Sequence, residues 1–143
     1  MASIALHKRH IQEHLEEIEE AIDKGIEKRP ATIGFHTSAC ASELLELYLH
    51  KKNLISTGKT IKHNWFERPK AEQKIKPLIE RKLDVSFHSK KEIYNLIYHI
   101  EENRDNLIYG NSKTEQIELV LKNFLQLKER MIQELEEAGE TLG

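Results

Sequence analysis

Apolar residues recur at helical spacing along most of the chain, and this pattern limits the fold more than any other feature of the sequence. Over residues 4–27 the apolar positions follow one another at steps of seven, four, three and four: Ile4, Ile11, Leu15, Ile18 and Ile22. Residues 89–110 and 112–138 have similar stripes, and no stretch alternates at the period of a strand. The sequence therefore predicts an all-α protein.

The segment from Pro30 to about Lys52 differs from the other helical segments, because it is apolar on nearly every face. Small residues, among them Gly34 and Ala41, fill its first half, which allows neighbouring helices to approach closely. Pro30 suits the first turn of a helix, and Gly25 suits the end of the preceding one. We expect this second helix to be the most buried element.

Residues 53–89 show weak periodicity and are longer than a simple helix connection requires. Pro69 is expected to open a short helix that Pro77 ends, and a further short turn is expected at 78–83. Ser89 and Ser112, each with a glutamate three residues later, are predicted to begin the last two helices as capping boxes. The predicted fold is one domain over 1–143: an up-and-down bundle of four long helices with an irregular basic crossover.

The single cysteine excludes an internal disulfide and a zinc site built from cysteines. Cys40 is expected to be a buried packing residue, with a reactive pair between Cys40 and His36 as the alternative. The N-terminal residues lack the apolar run of a signal peptide, and no window is apolar enough to span a membrane. We therefore expect a cytoplasmic protein.

The formal net charge of −2 conceals an uneven distribution. Residues 50–91 hold twelve Lys and Arg against four Asp and Glu, a net charge of +8. Residues 1–49 carry five bases and nine acids, and residues 92–143 carry five and eleven, which gives −4 and −6. A basic centre between acidic flanks indicates an anionic partner or self-association.

The basic segment, residues 59–68, combines basic side chains with two aromatic ones. Basic groups bind phosphates and aromatic rings stack on bases, so the candidate nucleic-acid or anion contacts are Lys59, Lys62, His63, Trp65 and Arg68. In the alternative interpretation, Trp65 and Phe66 cover the open end of the bundle and the charges keep a long loop soluble.

His7, His10 and His14 lie on one side of the first helix at spacings that can hold a metal ion. The sequence supplies no evident fourth ligand, and the cluster flanks a polar helix face near the N-terminus. We expect these histidines to be solvated, and we assign neither a metal nor another cofactor.

Arg104 interrupts an apolar stripe between Ile100 and Leu107. A buried arginine needs a carboxylate or a bound anion, because an unpaired buried charge is costly. Glu43 and Glu46 on the second helix are the candidate partners, so a structural ion pair and an anion site both stay open.

Three segments resemble the HEPN superfamily of small helical bundles. The sequence Arg-Asp-Asn-Leu-Ile-Tyr-Gly, residues 104–110, resembles the family's motif of an arginine, a polar residue, a spacer of four to six residues and a histidine. Residues 35–49 resemble the family's second helix, and residues 61–66 resemble its histidine-containing segment after a long loop. The chain is also similar to archaeal proteins of this kind whose function is open.

The resemblance implies a metal-independent endoribonuclease site in which arginine and histidine side chains meet across a dimer. It places Arg104 at the arginine position, Asn106 at the polar one and Tyr109 where the family has histidine. An unperturbed phenol, with a pKa near 10, exchanges protons poorly at neutral pH. Binding is therefore expected to be retained more readily than catalysis.

The function predicted from the sequence is a HEPN-like module that binds RNA or a nucleotide, as a homodimer, at a cleft that includes Arg104. The first alternative is a metal-independent endoribonuclease of the HEPN toxin type, with a partner antitoxin. The second is a structural or adaptor bundle in which basic and acidic surfaces of two copies meet.

Overall fold

Five α-helices pack against one another in a computed structural model that describes residues 3–56 and 58–142. In chain order they are α1 (Ile4–Lys24), α2 (Pro30–Lys51), α3 (Leu78–Lys82), α4 (Lys90–Tyr109) and α5 (Thr114–Glu137). Short 3₁₀ turns follow α1, at Ile26–Lys28, and interrupt the crossover, at His63–Trp65. The described residues contain no strand, so the all-α prediction is confirmed. None of the described helices is both long and apolar enough to cross a membrane.

Helix α2 lies at the centre of the molecule, in contact with α1, α4 and α5. It is buried along most of its length, including polar positions such as Thr37, Ser38 and His50. The close approach of α4 depends on Gly34, where a Cβ atom would lie 2.8 Å from the Leu107 Cβ atom. The prediction that this helix is the most buried element, next to closely packed neighbours, is confirmed.

Helix boundaries at the junction of α1 and α2 follow the sequence. Ser3 caps α1 by accepting a hydrogen bond from the Leu6 N–H, at 3.1 Å. Helix α1 stops at Gly25, whose φ of 104° is a conformation that L side chains rarely adopt. Pro30 occupies the first turn of α2, where its missing N–H has no consequence.

Two predicted capping boxes and one predicted helix are wrong. Ser89 precedes α4 with a φ of 63°, in the left-handed region, and its side chain does not cap the helix. Helix α5 begins one residue later than expected: Lys113 is its N-cap residue, and its N–H donates to Gln116 Oε1 at 3.0 Å. The residues after Pro69 form turns without a helix.

The crossover is attached to the bundle by aromatic packing. The Phe66 ring meets the rings of Tyr94 and Tyr98 edge to face, with centroids 5.3 and 5.7 Å away. Trp65 and Ile61 are buried beside it. These contacts hold the crossover against the first half of α4.

Candidate functional site

A cleft of about 420 Å³ lies between the second half of α4 and the crossover. We call it the α4 cleft. Its lining consists of charged and polar side chains around one phenylalanine: His63, Asn64, Phe66, Glu67, Arg68, Glu101, Glu102, Arg104 and Asp105. The fold thus brings the arginine at the end of α4 together with two of the candidate residues of the basic segment.

Arg104 lines this cleft with a side chain that is only 15% exposed. Its Nη1 donates to Asp105 Oδ1 at 3.1 Å, while its Nε is buried and has no hydrogen-bond partner among the described residues. The carboxylates suggested as partners by the sequence are engaged elsewhere: Glu43 with His7, and Glu46 with the Ile61 N–H. Of the two interpretations left open by the sequence, the ion pair between Arg104 and α2 is therefore absent among the described residues.

Glu101 lies one turn before Arg104 and forms the largely buried floor of the cleft. Ser38 donates to Glu101 Oε1 at 2.5 Å, and His63 Nδ1 lies 3.3 Å from Oε2. Burial raises the pKa of Glu101, although the Ser38 hydrogen bond and the charges of His63 and Arg104 oppose the change. A carboxyl and an imidazole in this arrangement can exchange a proton with a bound group.

Arg68 forms the opposite wall of the cleft. It donates from Nε to Glu102 Oε1 and from Nη2 to Asn95 Oδ1, both at 2.7 Å. Its guanidinium carbon lies 4.6 Å from the centre of the Tyr98 ring. The same arginine also borders a larger groove of about 990 Å³ beside the start of α4.

Two of the three residues carried over from the HEPN motif lie outside the α4 cleft. Tyr109 is 79% exposed at the end of α4, and Asn106 donates to Gln116 Oε1 at 2.8 Å. Only Arg104 of that set lines the cleft.

The remaining candidates of the basic segment, Lys59, Lys62 and Trp65, do not line the α4 cleft. Trp65 belongs to the core, and the ammonium groups of Lys59 and Lys82 lie 5.6 and 6.0 Å from its ring centre. In this structure the indole is covered and offers no open face for a base, as the alternative interpretation of the sequence expected. Lys62 is exposed just before the 3₁₀ turn.

The expectation that the histidines of α1 are solvated is wrong for His7, whereas the His10 side chain is 42% exposed. His7 is 1% exposed, and His7 and His10 both hydrogen-bond Glu43, at 2.7 and 3.1 Å. His14 Nδ1 lies 2.8 Å from His36 Nδ1, so His36 contacts a histidine of α1. Nothing in the periodicity of the sequence locates a carboxylate on another helix, so the contact of His7 with Glu43 could not be predicted.

Sequence reasoning missed Ser38 and Glu101. Glu101 stands three residues before Arg104, a spacing that places both on one helix face, and this signal could have identified it. Ser38 carries no comparable signal, since its contact depends on the packing of α2 against α4.

Comparison with known proteins returned no match to a family model, a curated protein or a solved structure.

Proposed function

We propose that this protein binds the phosphate groups of RNA or of a nucleotide in the α4 cleft. The observation that carries the proposal is the convergence of Arg104, Arg68 and His63, from two separate parts of the chain, on one cleft. The buried Arg104 Nε, without a partner among the described residues, supplies a donor for a phosphate oxygen.

Four carboxyl groups line the same cleft and oppose an anion: Glu67, Glu101, Glu102 and Asp105. Glu102 and Asp105, which pair with the two arginines, are exposed. Exposed pairs contribute about 0–1 kcal/mol, so a phosphate can replace these carboxylates at little cost. Burial raises the pKa of Glu101 above its ordinary value. The net charge of +8 over residues 50–91 attracts the polyanion toward this side of the molecule.

The proposal includes a HEPN-like up-and-down bundle, a homodimer and a cytoplasmic location, where RNA and nucleotides occur. A second copy would supply a further arginine and histidine to the same ligand. The resemblance of residues 104–110 to the family motif supports the arginine, while Tyr109 at the histidine position departs from it.

Binding of a fluorescein-labelled single-stranded RNA, followed by anisotropy, tests the proposal. The wild-type protein should bind, and its affinity should fall steeply as salt rises from about 50 to 200 mM because counterions are released. Arg104→Ala should weaken binding by about tenfold or more, the value of a lost charge-assisted hydrogen bond. Unlabelled nucleotide should compete if the ligand is a nucleotide.

Arg130→Ala is the matched control, since Arg130 is a partly exposed arginine on α5 that pairs with Glu92 away from the cleft. Circular dichroism of each variant checks the fold. Equal affinity of Arg104→Ala and Arg130→Ala, or no retention of RNA or nucleotide at low salt, would contradict the proposal.

A second candidate function, metal-independent RNA cleavage, is favoured by the contact of Glu101 with His63 beside Arg104. One of the two groups would accept the proton of a ribose 2′-hydroxyl as its oxygen attacks phosphorus. The other would protonate the departing 5′-oxygen, leaving a 2′,3′-cyclic phosphate and a new 5′-hydroxyl end. Arg104 would stabilise the charge on the phosphorane oxygens.

Incubation of total RNA with the protein in EDTA separates cleavage from binding alone. Under this candidate function, cleavage products should appear with the wild type and be lost with Arg104→Ala and with Glu101→Gln. Cleavage that both variants retain would point to a contaminating nuclease.

A further inference from the structure

A second polar cluster is buried between the second half of α2 and the start of α1. His7 is 1% exposed, Glu46 6% and His50 9%. One ring nitrogen of each histidine and one carboxylate oxygen of Glu46 lie within 4.8 Å of one another. The His7 and His50 rings stack with centroids 5.1 Å apart. Nothing in the proposed RNA-binding function uses these residues.

The buried donor atoms of this cluster lack partners among the described residues. His7 Nε2 and both ring nitrogens of His50 are buried without a hydrogen bond. Such groups are costly to bury unless a ligand satisfies them.

Glu43 and the Ile61 N–H orient two members of the cluster. The Glu43 carboxylate accepts a hydrogen bond from His7 Nδ1 at 2.7 Å, which directs the proton to Nδ1 and leaves Nε2 with a free lone pair. Metal-binding histidines usually donate their second ring N–H to a carboxylate in this way. Glu46 Oε1 accepts the Ile61 N–H, and Oε2 lies 3.6 Å from His7 Nδ1.

We propose that His7, Glu46 and His50 bind one divalent transition-metal ion of the zinc class, with Glu43 orienting His7. Two imidazoles and one carboxylate are a ligand set that Zn²⁺ accepts. Ligand atoms around tetrahedral zinc lie about 3.3 Å apart, given bonds of about 2.0 Å, so the cluster must contract slightly on binding. The metal would join α1 to α2 and fix Ile61, two residues before His63 of the α4 cleft.

Calorimetric titration of the full chain with Zn²⁺, after dialysis against a chelator and then against metal-free buffer, tests the site. One ion per chain is expected. His50→Asn should weaken binding about 100-fold or more through the loss of a ligand. Glu43→Gln should weaken it about tenfold, as changes to groups that orient a metal ligand do.

His88→Asn is the matched control, because His88, Glu134 and Glu137 form the other such cluster among the described residues, with His88 exposed. Absence of zinc binding, unchanged affinity in His50→Asn, or loss of binding in His88→Asn would each overturn the proposal.

Nuclear magnetic resonance of the wild-type histidine rings keeps the test independent of how the variants fold. Zinc should shift the ring nitrogens of His7 and His50 and leave those of His88 and His99 in place. Shifts confined to His88 would overturn the proposal. When the RNA-binding measurement is repeated in chelator, failure of the metal site and failure of the α4 cleft are separate results.

Discussion

At the scale of single residues, the charge of Arg104 stabilises the ionised form of Glu101 within the α4 cleft. The guanidinium opposes the rise in the pKa of Glu101 that burial causes. Asp105, the partner of Arg104, is exposed and holds it weakly. The arginine is thus positioned by the fold while retaining hydrogen-bonding capacity for a ligand.

The raised pKa of Glu101 predicts a pH effect on stability. This carboxyl holds its proton more tightly in the folded protein, so its contribution is complete below its ordinary pKa of 4.5 and is lost as pH rises through the folded value. Glu101→Gln removes the ionisation while keeping an acceptor for Ser38. In urea unfolding, the free energy of unfolding of Glu101→Gln should therefore fall less than that of the wild type as pH rises above about 4.5.

Glu102→Gln controls for the loss of one negative charge from the same helix and the same cleft. Parallel pH profiles for the wild type and Glu101→Gln would show that the buried carboxyl does not contribute in this way.

The Cys40 thiol should be inert in the native protein. Burial, and to a smaller extent the charge of Glu43, raise its pKa to about 12, so almost no thiolate is present at pH 8. Reaction with a disulfide reagent such as DTNB should be at least about 100-fold slower in buffer than in guanidinium chloride, where the thiol is exposed. Comparable rates in the two solutions would contradict the burial of this residue.

His7 illustrates why some site residues could not be predicted. Helical periodicity correctly places it on one side of α1 with His10 and His14. Its burial depends on Glu43, 36 residues later in the chain, and only the packing of α1 on α2 joins them. Tyr109 is assigned to the site from its motif position alone. A motif position gives no information on whether the side chain reaches the cleft, and Tyr109 does not line it.

At the scale of helices, the sequence predicts the long helices and their order well. Apolar spacing locates α1, α2, α4 and α5, and Pro30 locates the start of α2. Helix ends are less predictable, since Ser89 adopts a left-handed conformation and Lys113 replaces Ser112 as the N-cap residue. Capping depends on the path by which the chain enters each helix, and the capping-box pattern does not specify that path.

Contact between α2 and α4 depends on Gly34. An added Cβ would lie 2.8 Å from Leu107 Cβ and 3.3 Å from the Arg104 carbonyl oxygen. Gly34→Ala should cost about 1–3 kcal/mol by overpacking, against about 1 kcal/mol gained in helix propensity. Denaturant unfolding should therefore show a net loss of stability of up to about 2 kcal/mol.

Gly58→Ala is the control for that substitution, because a Cβ there meets no atom within 4 Å. It should change stability by less than about 0.5 kcal/mol. A Gly34→Ala variant more stable than the wild type would show that α2 and α4 separate more easily than this packing implies.

At the scale of the whole molecule, the uneven charge distribution makes salt dependence the property that distinguishes RNA binding from the adaptor alternative. The +8 middle segment and the acidic flanks suit either a polyanion or a second copy of the chain. Sedimentation velocity should show a dimer that persists as salt rises while RNA binding weakens. A dimer that dissociates with salt and retains no RNA would favour the adaptor alternative.

The most direct test of phosphate binding in the α4 cleft is a titration with a mononucleotide, followed through the arginine Nε–H, histidine ring and lysine ammonium resonances. Arg104 and Arg68 should shift together with His63, and Arg130 should not move. Shifts confined to lysines of the basic segment, with Arg104 unchanged at saturation, would contradict the assignment of the cleft.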